Sequence, residues 1–172
     1  AYLESLGADS GSDSRLAETP KNVTTVLKRF IQKRPLPTLS RYPSEGESLV
    51  TLRDIRFYSI CEHHLVPFMG VAHVAYVPGK HGRICGLSKL ARVVDVYAKR
   101  PQVQERMTSQ IADTIVENLD PAGVIVVIEA EHLCMSMRGV RKPGATTVSS
   151  SVRGLFRENV ATRSEAMRFI RS

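Results

Sequence analysis

Apolar and polar residues alternate with period two between residues 49 and 60, and the alternation is interrupted at Leu52, Arg53 and Asp54. Residues 71–77 are β-branched, aromatic or small. Period two is the spacing of a half-buried strand, and β-branched runs favour the same structure. The pattern therefore predicts two strands that lie antiparallel to each other and are joined across the intervening histidine-rich segment.

Helical spacing of apolar residues predicts three further elements. Thr19 and Pro20 are typical of an N-cap followed by proline in the first helical position. Ser88 is predicted to cap a second helix, and Pro101 separates that helix from a third. The apolar positions that carry these predictions are Val23, Val26, Leu27, Phe30 and Ile31; Leu90, Val93, Val94 and Tyr97; and Val103, Met107, Ile111 and Ile115.

The segment 124–130, VIVVIEA, continues directly into 131–139, EHLCMSMRG. Read as one extended strand, it places His132, Cys134, Ser136 and Arg138 on one face because alternate side chains of a strand point the same way. One face of the predicted strand thus carries reactive side chains, and the other face packs in the core. The chain from Thr146 is predicted to begin extended and to end as a helix near residues 163–170.

The pattern divides the chain into an N-terminal helical segment with a connector, residues 1–48, and one folded domain, residues 49–172. The connector contains RPLPTLSRYPSEGES, which predicts a surface segment. No signal-peptide pattern is visible in AYLESLGADSGSDS, and the longest apolar run, residues 123–128, is far too short to span a bilayer. We expect a cytoplasmic α+β protein.

The net charge and the cysteine content limit the kinds of ligand and of cysteine chemistry to consider. The formal net charge is +7, which indicates attraction to a polyanion such as nucleic acid, an acidic membrane or a phosphorylated small molecule. The three cysteines are scattered and odd in number, so they do not suggest a disulfide framework. We interpret Cys85 as a packing residue, because it has no ligand partner nearby in the sequence.

Cys61 and His64 have the three-residue spacing that lets two side chains face one ion from a turn. His132 and Cys134 supply a second cluster, and two thiolates with imidazole favour zinc over metals that prefer oxygen ligands. The alternative is that the cysteines are small buried apolar residues and the histidines pack in the core. The two clusters together favour a metal site.

The two clusters are far apart in the chain, unlike the ligand pairs of small structural zinc fingers. We therefore expect three ligands, Cys61, His64 and Cys134, with water in the fourth position. His63 and His132 would remain free for proton transfer. A closed structural site with His132 as fourth ligand is the rival geometry.

Two further groups suggest a substrate. Ser88, Lys89 and Arg92 at a helix start would suit a phosphate, and Arg138 would link positive charge to the metal. Glu105 accepts two hydrogen bonds and therefore matches the two donors on the amidine edge of guanine. The alternatives are a solvated basic face and an exposed helix acid. No P-loop, H-E-x-x-H or P-C-x-x-C motif is present.

Four motifs occur in order: SICEHHLVPFMGVAHVAYVP at 59–78, GLSKLARVV at 86–94, RPQVQER at 100–106 and EHLCMSMRGVRKPG at 131–144. Together they resemble the GTP cyclohydrolase I family. GLFREN and TRSEAMRFI extend the resemblance through the tail, so that it covers about residues 50–172. LGAD and ETPKNV before it match more loosely, and Asn22 stands where the family usually has arginine.

The resemblance implies a tunnelling fold: an antiparallel sheet with two helices packed on one face, assembled into a ring-shaped homo-oligomer, typically a decamer, with active sites between subunits. It implies zinc as cofactor and GTP as substrate. By the family pattern the metal ligands are Cys61, His64 and Cys134; the catalytic residues are His63, His132 and Ser88; guanine is held by Val103, Gln104 and Glu105; and the ribose and triphosphate are held by Ser88, Lys89, Arg92 and Arg138.

The implied reaction is hydrolytic opening of the guanine imidazole ring of GTP, release of formate and rearrangement to 7,8-dihydroneopterin triphosphate. The product would enter folate, biopterin or deazapurine synthesis, and the sequence does not choose among them. A relative that stops at a formamide intermediate is an alternative. A zinc-stabilised basic module that binds nucleic acid is another, although only 6% of residues are aromatic and no stacking pattern accompanies the basic ones.

Overall fold

The structure, a computed structural model, describes residues 5, 14–44 and 48–172. The LGAD segment and most of the N-terminal stretch considered for a signal peptide lie outside the described residues. The helices are α1 Ser14–Ala17, α2 Thr19–Phe30, α3 Leu87–Ala98, α4 Gln104–Leu119, α5 Leu133–Ser136, α6 Leu155–Glu158 and α7 Val160–Arg171. The strands are β1 Arg41–Pro43, β2 Val50–Cys61, β3 Pro67–Val77, β4 Arg83–Cys85, β5 Pro101–Gln102, β6 Gly123–His132 and β7 Thr146–Gly154.

Five strands form one sheet in the order β5-β2-β3-β6-β7. The pairings β2–β3, β3–β6 and β6–β7 are antiparallel, whereas the two-residue strand β5 runs parallel to β2. The predicted antiparallel neighbours joined across the histidine-rich segment are therefore confirmed as β2 and β3. At one end of this sheet β2 ends, β3 begins, β6 ends and α4 begins, and the candidate site lies there.

The predicted interruption near Asp54 is a register shift in β2 between Leu52 and Ile55. Asp54 has a positive φ of 59°, and its backbone N–H donates to His73 Nδ1 at 3.2 Å. Arg53 then points to the C-terminal helix, where it donates to the Phe169 carbonyl. The break in the apolar pattern thus marks a bulge that joins the sheet to α7.

Helices α3 and α4 pack on one face of the sheet, as the apolar stripes predict. Both faces of β6 are buried, because α6 and α7 cover part of the opposite face. This second helical layer was not predicted, and it explains why residues 124–128, VIVVI, are continuously apolar rather than alternating. The first core includes Val124, Val126, Ile128, Leu90, Val93, Met107 and Ile111, and the second includes Ile125, Val127, Phe156, Ala166 and Ile170.

Two predicted caps are wrong. Helix α2 includes Thr19, with Glu18 at its N-cap and Pro20 in the first turn. Helix α3 begins at Leu87 after Gly86, so Ser88 lies in the first turn and makes no capping hydrogen bond. In both places the helix begins one or two residues earlier than the capping residue type indicates, and helix ends commonly vary over this range.

The connector is not wholly irregular. Within it β1 pairs antiparallel with β4, and Tyr42 lies opposite Ile84. Leu39 is buried in the main core. The prediction of a surface segment is confirmed for β1, whose three residues are exposed, but the strand itself and the burial of Leu39 were not predicted. A three-residue strand leaves too short a pattern to be distinguished from a proline-rich loop.

The prediction of one extended strand through Arg138 is also wrong. Strand β6 ends at His132, and a helical turn, α5, follows. The Ser136 hydroxyl can donate to the His132 carbonyl and to Glu131 Oε1, and the Gly144 N–H donates to the same carboxylate. These hydrogen bonds lower the pKa of Glu131 and fold the segment back. Alternation over nine residues could not distinguish this turn from a strand.

Gly70 marks a close approach between β3 and β6. A Cβ atom there would lie 1.9 Å from the Glu129 carbonyl oxygen and 2.6 Å from Ala130 Cα. Gly70→Ala is expected to lower the free energy of unfolding by about 1–3 kcal/mol, because backbone must move. Urea unfolding measures the loss. Gly86→Ala is the control, since its nearest contacts would be 3.8 Å away; equal unfolding curves for the two variants would contradict the prediction.

Within the described ranges, the structure has no helix that is both long and apolar enough to span a membrane.

Candidate metal centre and its surroundings

Three donor side chains from two distant segments meet at the end of the sheet. Cys61 ends β2, His64 follows in the turn, and Cys134 lies in α5. One ligand atom of each lies within 4.8 Å of the other two. The structure thus brings together the three residues that the sequence analysis proposed as ligands. Within the part of the chain that the structure describes, His132 is not a member of this group.

Backbone hydrogen bonds explain why Cys61 and His64 face the same side. The Cys61 N–H donates to the Val66 carbonyl at 3.0 Å, and the Leu65 N–H donates to the Cys61 carbonyl at 2.9 Å. Leu65 closes the turn with a positive φ of 52°. The tight turn between β2 and β3 therefore presents two donor residues three positions apart.

The donor set suits a soft divalent ion. Burial and the neighbouring Cys61 thiol raise the pKa of Cys134, while Arg138 nearby lowers it. Two adjacent thiols with an imidazole are a typical zinc ligand set, whereas hard ions such as magnesium prefer oxygen ligands. The residues present therefore fit zinc. A cation between the sulfurs would favour their thiolate forms.

His63 lies beside the donor group, with Nδ1 3.8 Å from Cys61 Sγ. Its ring is nearly perpendicular to that of His64, with 6.2 Å between the ring centroids. Both histidines are exposed. His63 is therefore placed next to the candidate metal and remains open to a ligand.

His132 is held in place by contacts with Phe68 and Gln104, whereas His63 is exposed. Its ring stacks on Phe68 with 4.6 Å between centroids and 3° between planes. His132 Nε2 lies 2.7 Å from Gln104 Oε1. The Gln104 amide nitrogen donates to the carbonyls of Ile128 and Thr147, so its oxygen faces the histidine and His132 Nε2 must donate. Burial lowers the pKa of His132, and the nearby Glu105 carboxylate opposes that shift.

The segment predicted to hold guanine starts α4 next to His132. Val103 is the N-cap, and Glu105 lies exposed in the first turn. Gln104 is buried, with 1% of its surface exposed. Its side chain therefore contacts the sheet and His132 within one chain, while the Glu105 carboxylate is open to a ligand.

The predicted phosphate-binding residues lie on α3. Ser88 and Arg92 are exposed, and Lys89 is close enough to Cys85 to lower the pKa of that thiol, although burial raises it more. Among the described residues, no hydrogen bond or ion pair joins Ser88, Lys89 or Arg92 to the donor group. A single chain therefore brings together the donor group, the two neighbouring histidines, Glu105 and Arg138. It does not link them to Ser88, Lys89 or Arg92.

Sequence reasoning missed four residues that surround the site. Phe68 stacks on His132, and Glu62 and Gln102 both contact Arg106 beside the turn that carries Cys61 and His64. The Arg106 hydrogen bond lowers the pKa of Glu62. Their only sequence signal was their presence within the quoted motifs, because the partner of a single charged, amide or aromatic residue cannot be seen in the local sequence.

The fold and the donor group define the class of protein: an α+β chain with a largely antiparallel sheet and a candidate thiolate–imidazole metal centre. The crystal structure of the archaeosine synthase QueF-Like in the apo form matches it with a TM-score of 0.52, covering 64% of this chain and 97% of that one. Their sequences are 18% identical, so this likeness shows the fold alone. It supports the tunnelling-fold class that the sequence predicts.

The family model of GTP cyclohydrolase I matches residues 1–171. GTP cyclohydrolase 1 of Thermobifida fusca (strain YX) is 57% identical to this chain over 172 residues, with coverage of 98% of the chain and 83% of the relative. GTP cyclohydrolase 1 of Carboxydothermus hydrogenoformans is 55% identical, with coverage of 98% and 88%. The chain belongs to the GTP cyclohydrolase I family, and the resemblance predicted from its motifs is confirmed.

Proposed function

We infer that the chain is a hydrolase that acts on the cyclic amidine of GTP: it opens the imidazole ring of guanine and releases formate, and the product rearranges to 7,8-dihydroneopterin triphosphate for pterin synthesis. Family membership supports the reaction. The observation that carries the proposal is that the group of Cys61, His64 and Cys134 lies beside His132 and Glu105. We place the enzyme in the cytoplasm.

Cys61, His64 and Cys134 would hold a zinc ion. When bound, zinc supplies a water with a pKa near neutrality, which is the nucleophile that hydrolysis of an amidine needs. Three protein ligands leave a position for that water, whereas a fourth ligand would close the site. His132 is engaged by Gln104 instead, which favours the open arrangement over the structural one.

His132 is proposed as the acid that protonates a nitrogen of the guanine imidazole ring as that ring opens. Because Nε2 donates to Gln104, the transferred proton would be the one on Nδ1 of the imidazolium form, which the nearby Glu105 carboxylate favours. Stacking on Phe68 and the hydrogen bond to Gln104 fix the plane and the tautomer of the imidazole. Held in this way, the ring loses little freedom when the substrate binds. His63, whose Nδ1 lies 3.8 Å from Cys61 Sγ, is proposed to move protons in the later ring opening of the ribose, assisted by Ser88.

Glu105 is proposed to accept the two hydrogen bonds that the amidine edge of guanine donates. The Val103 backbone and Gln104 are the other predicted guanine contacts. Ser88, Lys89, Arg92 and Arg138 are proposed to hold the ribose and triphosphate, and the net charge of +7 would favour such an anion.

We propose that the enzyme is a ring-shaped homo-oligomer, a decamer by the family pattern, with each active site between subunits. Two features of the chain support assembly. Among the described strands, β7 pairs on one side only and so leaves an open sheet edge. Val23 and Val26 of α2 are about half exposed, at 51% and 50%. In a ring, α3 of one subunit could supply Ser88, Lys89 and Arg92 to the metal centre of another.

Incubation of the zinc-loaded protein with GTP tests the activity. We expect loss of GTP, release of formate and the appearance of pterin fluorescence. Loss of GTP with neither formate nor fluorescence would instead identify an enzyme that stops at the formamide. No turnover of GTP would contradict the proposed function, and the hypothesis of a zinc-stabilised binding module would remain.

A further inference from the structure

We infer that Glu62, Gln102 and Arg106, here named the turn clamp, are positioning residues that hold the zinc-binding turn at a fixed place relative to the start of α4. The inference rests on the proposed function, since it assigns these residues to the same site. It concerns residues for which the sequence analysis assigned no role.

The guanidinium group of Arg106 makes a bidentate contact with the carboxylate of Glu62. Arg106 Nη1 donates to Glu62 Oε1 at 3.2 Å, and Arg106 Nη2 donates to Glu62 Oε2. An exposed ion pair usually stabilises a protein little, and these side chains are 45% and 34% exposed. The two-pronged geometry, however, fixes direction as well as distance. The pair is therefore better suited to positioning than to stabilising the fold.

The third member of the clamp is buried and anchors the pair to the core. Gln102 is 1% exposed, and its Oε1 accepts from Arg106 Nε at 3.1 Å. Its amide nitrogen donates to the Tyr97 carbonyl and to Gln110 Oε1, both at 3.0 Å. These bonds fix the orientation of the amide, so Gln102 presents its oxygen to Arg106.

A backbone hydrogen bond closes the network. The Glu62 N–H donates to the Gln102 carbonyl at 3.0 Å, next to the point where Cys61 pairs with Gln102 in the parallel strands. Glu62 is thus held through both its backbone and its side chain. The clamp forms a closed ring of contacts from the turn to β5, to the first turn of α4 and back to the turn.

The two ends of the clamp adjoin the two parts of the candidate site. Glu62 lies between Cys61 and His64, whereas Arg106 directly follows Gln104 and Glu105. A displacement at the clamp would therefore change the position of the metal relative to the groups that face the substrate. Small displacements of reacting groups reduce turnover strongly even when binding is retained.

The test compares Arg106→Lys with wild type. Lysine keeps the charge but cannot form the two-pronged contact. We expect the zinc affinity of the metal-free protein, measured by competition with a chromophoric chelator, to fall about tenfold, as for other residues that support metal ligands. At saturating zinc we expect kcat for GTP to fall about tenfold, with KM changed less than threefold, because the substrate contacts themselves remain.

Arg153→Lys is the matched control. Arg153 Nε lies 2.8 Å from Asp113 Oδ1, and this partly exposed pair also involves a residue of α4, away from the metal centre. We expect the control to keep zinc affinity within twofold, even if its melting temperature falls as much as that of Arg106→Lys. Equal zinc affinities in the two variants would overturn the inference and reduce the clamp to a structural ion pair.

Glu62→Gln tests the clamp from its other end and covers the case in which Arg106→Lys does not fold. We expect it also to weaken zinc binding, and the double variant to be little worse than either single one. Independent, multiplying effects would overturn the inference. Because zinc titration uses no GTP, a wild-type protein without turnover would contradict the proposed function, while the zinc affinities would still test the clamp.

Discussion

Cys134→Ala is expected to remove stoichiometric zinc binding and to reduce formate release from GTP by more than about 100-fold. The reason is that Cys134 supplies one of the three donor atoms that lie within 4.8 Å of one another. Replacing a residue that merely supports a ligand typically costs about 10–100-fold in metal affinity, so losing a ligand should cost more. Metal analysis after dialysis and a formate assay measure the two effects.

Cys85→Ala is the control for Cys134→Ala. Cys85 is also a free thiol, but it is buried in the main core, and its sulfur contacts the Gly86 carbonyl at 3.4 Å. We expect this variant to keep one zinc per chain, although it will be less stable because a buried atom is removed. If Cys134→Ala kept full zinc content, or if both variants lost zinc equally, the proposed ligand set would be wrong.

Removing the imidazole at position 132 is expected to have the second large effect. We expect His132→Gln to reduce formate release by about 10²–10⁴-fold, the usual contribution of a general acid, while zinc content stays at the wild-type level. Glutamine is preferred to alanine because its amide can still donate to Gln104 Oε1. Alanine would leave that buried oxygen unpaired, at a cost of about 1–3 kcal/mol in stability.

The control for His132→Gln is His81→Gln, which changes an exposed histidine in the turn between β3 and β4. It should leave zinc content and formate release unchanged. Full activity in His132→Gln would exclude His132 as the acid. Loss of zinc in that variant would instead favour the closed site in which His132 is the fourth ligand.

The main helices and strands were predictable because their patterns are long. The stripe of α3, the period-four stripe of α4 and the alternation of β2 each extend over about three turns of helix or ten strand residues, so a wrong periodicity would expose many apolar groups. Even the bulge at Asp54 was visible as a break in the pattern. The errors fall on short elements, namely β1, α5 and the two helix starts, where local hydrogen bonds outweigh periodicity.

The candidate site was likewise predictable in part. The residue types and motifs predicted Cys61, His64 and Cys134 as a zinc ligand set, because only a few side chains suit a soft divalent ion. They did not predict that α5 would be helical, yet Cys134 still reaches the group. Nor did they predict that Gln104 would contact His132, because an amide at a helix start carries no sign of its partner.

By itself, the sequence determined the family, the chemistry of the donor set and the strand–helix order, since these depend on residue type and on spacing along the chain. Only the tertiary structure decided which side chains meet: the stack of Phe68 on His132, the orientation of Gln104 and the contact of Arg106 with Glu62 and Gln102. Except for the contact between Arg106 and Gln102, which are four residues apart, these contacts join segments far apart in the chain. Their geometry follows from sheet register and helix packing, which no local pattern encodes.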